Sequence, residues 1–321
     1  AGMLAAALCF QPMTALAGPA GDSSLTSSSS NVGPGGGSGG SNSGSTGSFG
    51  GSNSVSNGSV SAVTSGLGVY RVTENEGIGA IARGVDVSYW QQNVNWSQVA
   101  SDNVQFAMLA TRFRGNVDPF FAMNAANASQ AGLRLGAYIY SYATSVEMAQ
   151  QEADFVLNLI KDYPLSFPVV FDAEDVNTLG TLTPSQVSDV INAFCKRIQD
   201  AGYYPMVYAN EYWIANKIDM SKISYDMWVA KYQQKYTYSR TSMWQASNTG
   251  SVKGVNGNVD IDYLYKDYTQ IIPGNTWRTI AGNRYYYQNH VMQKSAWIND
   301  GQNWYYMNAS GNPSTGWLDL S

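Results

Sequence analysis

Two carboxylic acids directly follow an apolar run near the middle of the chain. The run is Val169, Val170 and Phe171, and Asp172 and Glu174 come after it. Such a run is typical of a strand buried on both faces, and residues i and i+2 of a strand lie on one face. The two acids should therefore share one space, where each disfavours ionisation of the other and one pKa is raised. A carboxyl group that stays protonated near neutral pH can supply the proton that acetal hydrolysis requires. An acidic turn in solvent is the alternative for Asp-x-Glu taken alone.

The segments around these acids predict a barrel. Strand-like and helix-like segments alternate up to Tyr204, which indicates parallel βα units, and the later strands follow one another with little helix between them. We therefore predict an α/β fold, an irregular TIM-like (β/α) barrel with its active site at the carboxyl ends of the strands. Asp172 and Glu174 lie at that end of the fourth strand. The eight predicted strands comprise residues 84–87, 104–110, 134–142, 169–172, 204–209, 227–232, 242–246 and 259–264.

Three further acids lie in the first and last predicted strands. Asp86 belongs to the first strand, and Asp260 and Asp262 belong to the last. These strands are neighbours in a closed barrel, so the three acids should gather at the mouth, facing Asp172 and Glu174. A surface or capping role is the alternative for each acid alone, but an unpaired carboxylate inside a strand is costly.

Polar residues also predict where three helices begin. Each precedes an apolar stripe at helical spacing, as capping residues do. The predicted starts are Asp118 with Pro119, Thr144 with Glu147, and Thr183 with Pro184 and Gln186.

The composition limits the classes of function. Charged residues make up 13% of the chain and aromatic residues another 13%, which suits a secreted protein that handles carbohydrate, because sugar faces stack on aromatic rings. A net charge of -5 argues against nucleic acid as a partner. His290 is the one histidine, which excludes Ser-His-Asp and Cys-His catalysis from the main body and leaves no His/Cys cluster for zinc. We expect neither a metal nor a cofactor.

The first part of the chain reads as export and linker sequence. Residues 1–17 resemble the end of a secretory signal, with an apolar run and Ala-Leu-Ala before Gly18, and the run is too short to span a membrane. Removal of the signal would leave Cys195 as the sole cysteine, without a disulfide partner. Residues 18–69 are rich in Ser and Gly and should form a disordered tether, because little of the segment can be buried. We predict a secreted, cell-wall-associated protein.

The last part of the chain, residues 274–321, contains two copies of an aromatic pattern. Residues 282–287 lead to Trp297, and residues 301–306 lead through Gly311 to Trp317. Such repeats form hairpins that must stack on their neighbours. They resemble the cell-wall or choline-binding repeats of Gram-positive surface proteins, in which aromatic residues form a cage for a quaternary ammonium or a sugar. A small structural cap is the alternative. The candidate cage residues are Trp297, Trp304, Tyr305 and Trp317.

The region between, assigned as residues 70–273, resembles glycoside hydrolase family 25, the bacterial and phage muramidases. The similar motifs occur in family order along the region. They are Gly84-Val-Asp-Val-Ser-x-x-Gln91, Asn95-Trp96, Asp118-Pro-x-Phe121, Ala131-Gly-Leu-x-x-Gly-Ala-Tyr138-x-Tyr140, Phe171-Asp-x-Glu174, Trp228-Val-Ala-x-Tyr232, Trp244-Gln245 and Val259-Asp-x-Asp262.

The resemblance implies cleavage of the β-1,4 bond between N-acetylmuramic acid and N-acetylglucosamine in peptidoglycan. Glu174 resembles the general acid, and Asp172 resembles the residue that holds the 2-acetamido group or stabilises the charged intermediate. Asp86 and Asp260 resemble supporting carboxylates. Attack at C1 by the acetamido oxygen would retain the configuration, whereas direct attack by water would invert it, and both stay open.

Aromatic residues on the strands could contact sugar, although aromatic residues on barrel strands are more often part of the core. Two departures from the family pattern concern the substrate subsites. Asp262 stands where similar proteins often have Asn, and Thr111-Arg112-Phe113-Arg114 replaces a Thr-Tyr/Glu-Gly type of turn. The candidate substrate-binding residues are Tyr138, Tyr140, Tyr208, Trp228, Trp244 and Asp262.

Our leading hypothesis is therefore a secreted, bacteriolytic lysozyme that acts on peptidoglycan and is held at the wall by its repeats. A wall-binding protein whose barrel has lost catalysis is one alternative. A hydrolase for chitin or another N-acetylated glycan is the other.

Overall fold

The structure is a computed structural model and describes residues 62–72, 77–232 and 234–317. The predicted signal and residues 18–61 of the predicted tether lie outside the described residues. Residues 62–69 of that tether instead belong to a two-stranded hairpin. The hairpin is held to the barrel domain by the buried side chains of Leu67 and Tyr70 and by hydrogen bonds between the side chain of Asn103 and the backbone of Arg71. The helices are α1 (Trp96–Ser101), α2 (Phe121–Gln130), α3 (Val146–Ile160), α4 (Pro184–Asp200) and α5 (Glu211–Asn216), with short 3-10 helices at Tyr89–Gln91, Leu179–Thr181 and Tyr268–Gln270.

The central element is a closed barrel. The strands of the structure are β1 (Ala62–Ser65), β2 (Gly68–Arg71), β3 (Ala82–Val87), β4 (Phe106–Ala110), β5 (Arg112–Phe113), β6 (Asn116–Val117), β7 (Arg134–Tyr140), β8 (Leu165–Asp172), β9 (Pro205–Asn210), β10 (Asp226–Ala230), β11 (Thr241–Gly250), β12 (Val259–Leu264), β13 (Thr276–Ile280), β14 (Asn283–Gln288), β15 (Val291–Met292), β16 (Ala296–Asn299) and β17 (Trp304–Met307). The barrel follows the order β3-β4-β7-β8-β9-β10-β11-β12 and returns to β3, which confirms the predicted α/β barrel and all eight predicted strands.

The barrel is irregular on one side. Neighbouring strands from β3 round to β11 are parallel, whereas β12 is antiparallel to both β11 and β3. A helix is the usual connection between parallel strands, and antiparallel strands can follow one another directly. The antiparallel β12 therefore needs no helix between it and β11, which agrees with the lack of helical patterning in the last part of the barrel sequence.

Alternation along each strand divides the core into an inner and an outer layer. On β8, Val169 and Phe171 face the helices, where Phe171 packs on Phe194 with ring centroids 5.1 Å apart. Val170 belongs to the cluster inside the barrel. Asp172 is two residues further on and so shares the inner face, as the sequence predicted.

Two of the three helix starts differ from the prediction. The capping box of Thr183 and Gln186 at α4 is confirmed. The start of α3 was wrong by one residue, because Ser145 rather than Thr144 accepts the hydrogen bond of the first turn. The start of α2 was also wrong, since the helix begins at Phe121 and Asp118 caps other backbone groups.

The C-terminal strands form two small antiparallel sheets, β13-β14-β15 and β16-β17. The first sheet shares the core of the barrel, because Ile280, Tyr285, Tyr287 and Met292 belong to the outer cluster. Arg278 lies between the rings of two tyrosines from both sides of this contact, 4.0 Å from the centroid of Tyr203 and 4.3 Å from that of Tyr287. Within the described residues, no helix combines the length and apolar composition that crossing a bilayer requires.

Candidate active site

A pocket of about 300 Å³ opens at the carboxyl ends of the barrel strands. Its lining includes Asp86, Asp172 and Asp260, three of the four acids that the sequence singled out for catalysis. The fourth, Glu174, lies two residues after Asp172, which ends β8. The pocket lining combines acidic, amide and aromatic side chains. The lining residues are Asp86, Tyr138, Asp172, Tyr208, Trp228, Tyr232, Gln245, Asn248 and Asp260.

Strand register sets the spacing of these side chains. Asp86 on β3 lies directly opposite Asp260 on the antiparallel strand β12. On the other side of the barrel, Asp172 at the end of β8 lies beside Tyr208 on β9. The first and eighth strands thus bring Asp86 and Asp260 to the mouth, and the fourth strand brings Asp172, with Glu174 two residues beyond it in the following loop.

The surroundings of Asp86 and Asp260 favour their protonated forms. Like charges opposite one another on antiparallel strands are unfavourable. Burial raises the pKa of Asp86 well above its ordinary value, and the charges of Asp260 and Asp262 raise it further. Burial also raises the pKa of Asp260, and a hydrogen bond joins the two carboxyl groups. The pair can therefore share a proton.

Gln245 holds Asp86 in place. Its Nε2 donates to Oδ2 of Asp86 at 2.8 Å, and its Oε1 accepts from the hydroxyls of Tyr208 at 2.7 Å and Tyr232 at 2.8 Å. Sequence reasoning did not single out Gln245, Tyr232 or Asn248 as site residues. Gln245 is next to Trp244 on a predicted strand, so the alternation of that strand was the available signal.

Asp172 is a buried acid with a free oxygen. Among the described residues, its Oδ1 has no hydrogen-bond partner. Burial raises the pKa of Asp172 well above its ordinary value, and the charges of Glu174 and Asp175 add to the effect. An unpaired polar atom of this kind is costly unless it serves a ligand.

Glu174 lies half-buried just beyond the strand. Its Oε1 accepts the backbone N–H of Asn210 at 2.6 Å. Burial raises the pKa of Glu174, although the hydrogen bonds from Asn210 oppose the shift. The carboxyl group is therefore both held in position and biased toward its protonated form.

Asp175, the third acid of this segment, has a structural part in the loop. Its Oδ1 accepts from the backbone N–H groups of Asn177 and Thr178, and its Oδ2 accepts from the hydroxyl of Tyr140 at 3.2 Å. Tyr140 thus lies against this loop, and the structure does not include it in the pocket lining.

Three of the predicted sugar contacts pack together as one aromatic wall. The ring of Trp228 meets those of Tyr138 at 5.9 Å and Tyr208 at 4.7 Å, both edge-on. The indole Nε1 of Trp228 donates to Oδ1 of Asp262 at 2.8 Å. Asp262 is fully buried behind this wall, where burial and then the charge of Asp260 raise its pKa. It supports Trp228 and is not part of the lining.

Trp244 does not lie at the pocket. Its side chain is buried in the outer core, where Nε1 donates to the backbone oxygen of Lys231 at 2.9 Å. Adjacent residues of a strand face opposite sides, so the inward position of Gln245 requires Trp244 to face outward.

The four candidate cage residues of the C-terminal region are not assembled into a cage. Trp297 pairs with Tyr306, and Tyr305 packs on Trp277 on the other face of the hairpin. Within the described residues, no ring contact joins the four candidates to one another. Trp297 is 52% exposed and Trp304 is 68% exposed, so these side chains are available at the surface. In the described part of the chain, no group of three or more His, Cys, Asp or Glu side chains could hold a metal ion.

Comparison with known families gives two matches. Residues 85–255 match the family described as Glycosyl hydrolases family 25. Residues 295–312 match a putative cell wall binding repeat. The two matches fall on the barrel and on the C-terminal hairpin, respectively.

Comparison with individual proteins agrees with the family match. The uncharacterized protein YegX of Escherichia coli (strain K12) is 31% identical over 189 residues, which is 56% of this chain and 68% of that protein. Lysozyme M1 of Streptomyces globisporus is 30% identical over 195 residues, 56% of this chain and 66% of that protein. The structure of the modular autolysin LytC from Streptococcus pneumoniae is similar with a TM-score of 0.52 and 25% identity, over 57% of this chain and 46% of that one.

Proposed function

The chain belongs to the glycosyl hydrolases family 25, and from this membership we propose that it is a secreted muramidase with Glu174 as general acid. The bond cleaved is the β-1,4 bond between N-acetylmuramic acid and N-acetylglucosamine. The observation that carries the proposal is the pair of Asp172 and Glu174 at the carboxyl end of β8, where burial raises the pKa of both acids beside a pocket with aromatic lining residues. Lysozyme M1, among the similar proteins, supports the same reaction class.

Glu174 is suited to protonate the leaving glycosidic oxygen. Its raised pKa keeps a fraction protonated in the pH range where an ordinary glutamate is ionised. The N–H of Asn210 donates to Oε1 and so fixes the position of the carboxyl group. The same group can afterwards accept a proton from the water that completes hydrolysis.

Asp172 is suited to act on the sugar from the same side of the pocket. Its unpartnered Oδ1 can accept the N–H of a 2-acetamido group or stabilise positive charge near C1. The first role accompanies attack by the acetamido oxygen, and the second accompanies direct attack by water. The anomeric configuration of the first product separates them, since the first route retains it and the second inverts it.

Asp86 and Asp260 support this chemistry from the opposite wall. Their shared negative charge favours a transition state in which positive charge develops on the sugar ring. Gln245 fixes Asp86, and the aromatic wall of Tyr138, Tyr208 and Trp228 offers faces for sugar C–H groups.

The C-terminal hairpin would hold the enzyme at the cell wall, through a wall polymer or a choline-like ligand. The match of residues 295–312 to a cell wall binding repeat and the exposure of Trp297 and Trp304 support this role. A truncation that tests it should end after residue 294, because residues 276–292 contribute to the core of the barrel. We expect the shortened enzyme to cleave soluble fragments normally and to bind purified walls less. Unchanged wall retention would leave only a structural role for the hairpin.

Digestion of purified peptidoglycan, with mass spectrometry of the new reducing ends, tests the reaction. We expect reducing muramic acid ends. Reducing glucosamine ends would show that a different bond is cleaved, and cleavage of chitin oligomers in place of peptidoglycan would favour the other N-acetylated glycans. Binding of several wall types without any cleavage would favour the wall-binding protein.

A further inference from the structure

A group of partly and fully exposed side chains stands at the mouth of the barrel, outside the pocket. It consists of Tyr89, Trp90, Phe113 and Arg114, which we call the rim platform. Tyr89 and Phe113 stack with ring centroids 4.0 Å apart and an interplanar angle of 13°. Trp90 stands edge-on to both at 5.6 Å and is 67% exposed. Aromatic rings clustered in water lose solvation without filling a core, which indicates an interaction site.

The rim platform is close to the pocket. Trp90 follows Asp86 by four residues, so their Cα atoms lie at most about 14 Å apart. Phe113 follows Thr111 by two residues, and both the N–H and the hydroxyl of Thr111 donate to the backbone oxygen of Tyr138, which lines the pocket. The platform is therefore next to the place where a bound glycan must leave the pocket.

The rim platform is also held rigidly. Phe113 belongs to the two-stranded β5-β6 hairpin. The carboxylate of Asp118, just after this hairpin, accepts the backbone N–H of Tyr89 at 2.7 Å and so joins the two halves of the platform. Arg112 at the base of the hairpin pairs with the buried Glu152 at 2.6 Å. A surface fixed in advance loses little entropy when it binds a ligand.

The two arginines of the hairpin differ in what they contact. The charge of Arg112 is already paired with that of Glu152 inside the protein. Arg114 is exposed, its guanidinium carbon lies 5.1 Å from the centroid of the Phe113 ring, and within the described residues it makes no ion pair. The pocket beside it is acidic, so an anionic part of a substrate is repelled from the pocket and attracted to Arg114.

We propose that the rim platform is a subsite for the peptide-bearing part of the peptidoglycan strand that extends out of the pocket. Trp90 stacks on a sugar ring, and Arg114 pairs with a carboxylate of the stem peptide. This inference rests on the proposed function and deepens it, because a subsite of this kind would give the enzyme a preference for glycan strands that carry anionic peptides. The polymer is longer than a pocket of about 300 Å³, and the platform is the aromatic surface that continues from the pocket on this side.

The test uses soluble peptidoglycan fragments in two forms, native and with their carboxylates converted to amides. Arg114→Gln should lower kcat/KM on native fragments about threefold, through KM, and leave the amidated form unaffected. Trp90→Ala should lower kcat/KM about fivefold on both forms. The conservative variants Arg114→Lys and Trp90→Phe should keep most of the parent's kcat/KM. Arg71→Gln removes a similar exposed charge near the amino end of the barrel and should change nothing.

Fragment affinity is measured in parallel by calorimetry, so that the result does not depend on cleavage. Weaker binding of native fragments by both Arg114→Gln and Trp90→Ala supports the subsite even if no bond is cleaved, in which case only the proposed function fails. Equal affinity and equal kcat/KM for the parent and both variants would overturn the subsite while leaving the muramidase proposal intact. A loss for Arg114→Gln that is the same on native and amidated fragments would overturn the pairing with a carboxylate.

Discussion

The surroundings of two acids at opposite ends of the barrel shift their pKa values in opposite directions. At the amino end of β10, Oδ2 of Asp226 accepts from Lys266 at 2.7 Å and from the hydroxyls of Tyr204 and Tyr268 at 2.8 and 3.0 Å. Burial raises the pKa of Asp226, but these contacts outweigh it and the pKa is lowered. At the carboxyl end of β8, Asp172 has no ion-pair partner among the described residues and its Oδ1 accepts no hydrogen bond from them, and burial raises its pKa.

The difference separates stability from chemistry. The contacts of Asp226 satisfy its charge within the fold, so this acid favours the folded state. Asp172 and Glu174 are kept where their charge is unfavourable, which is the arrangement expected of groups that must exchange protons or meet a cationic transition state. Exchanging each acid for its amide should therefore have opposite effects at the two ends.

The largest effect is expected for Glu174→Gln, because the amide cannot donate a proton of suitable acidity. We expect kcat on peptidoglycan to fall by about 10² to 10⁴-fold without a loss of thermal stability. Release of reducing ends and a thermal melt measure the two quantities. Glu147→Gln, at an exposed position on α3, is the matched control. Activity within a few-fold of the parent in the folded variant would remove Glu174 from its role.

The next effect concerns the opposite end of the barrel. Asp226→Asn leaves Lys266 without a charged partner, and we expect a loss of about 1–3 kcal/mol, less than for a fully buried pair because Lys266 is partly exposed. The melting temperature should fall, while kcat of the folded fraction stays the same. Because the pKa of Asp226 is lowered in the fold, the difference from the parent should persist at neutral pH and shrink as the pH falls below the ordinary value of 3.8. A loss of activity with an unchanged melting temperature would contradict the stabilising role of Asp226.

Asp172→Asn should do the reverse and raise the melting temperature at neutral pH while lowering activity. A carboxyl group whose folded pKa is raised binds more protons in the folded state, so its cost appears as the pH rises above the ordinary value of 3.8. The stability gained by the variant should therefore grow with rising pH and vanish below that value. Melting curves of parent and variant across pH check this. A variant less stable than the parent at neutral pH would mean that Asp172 has a stabilising partner.

The smallest expected effect is a shift of the alkaline limb of the kcat/KM profile to higher pH. If Glu174 is the proton donor, kcat/KM should decline on the alkaline side as Glu174 loses its proton, at a pH above the ordinary glutamate value of 4.5. The pH profile of kcat/KM on soluble fragments shows this limb. An activity that is already lost at or below 4.5 would assign the limb to another group.

The sequence predicted the elements better than the directions of side chains. All eight barrel strands and the inward placement of Asp172 followed from apolar runs and strand alternation, which are local properties, whereas Glu174 lies in the loop just beyond β8. Trp244 was placed at the pocket because an aromatic residue near the end of a strand suits either face of a barrel strand, and only the inward position of its neighbour Gln245 fixes its direction. Gln245 escaped notice because an amide carries no titratable group, and its importance lies in contacts with distant strands.

The C-terminal repeats show the same limit. Their aromatic pattern predicted hairpins, and β13-β14 and β16-β17 are hairpins. The pattern could not show that Ile280 and Tyr287 would join the core of the barrel, since that packing depends on residues more than a hundred positions away, such as Lys161, whose backbone oxygen accepts from the Tyr287 hydroxyl at 2.8 Å.

The most direct test of the central claim varies the leaving group. An aryl glycoside with an acidic phenol as leaving group needs little protonation, whereas the natural sugar alcohol needs a full proton transfer. We therefore measure, for the parent and for Glu174→Gln, the rate of first bond cleavage on an aryl glycoside that the parent accepts and on natural peptidoglycan fragments. The account predicts that Glu174→Gln nearly matches the parent on the aryl substrate and fails on the natural one. An equal loss on both substrates would contradict the assignment of Glu174 as the proton donor.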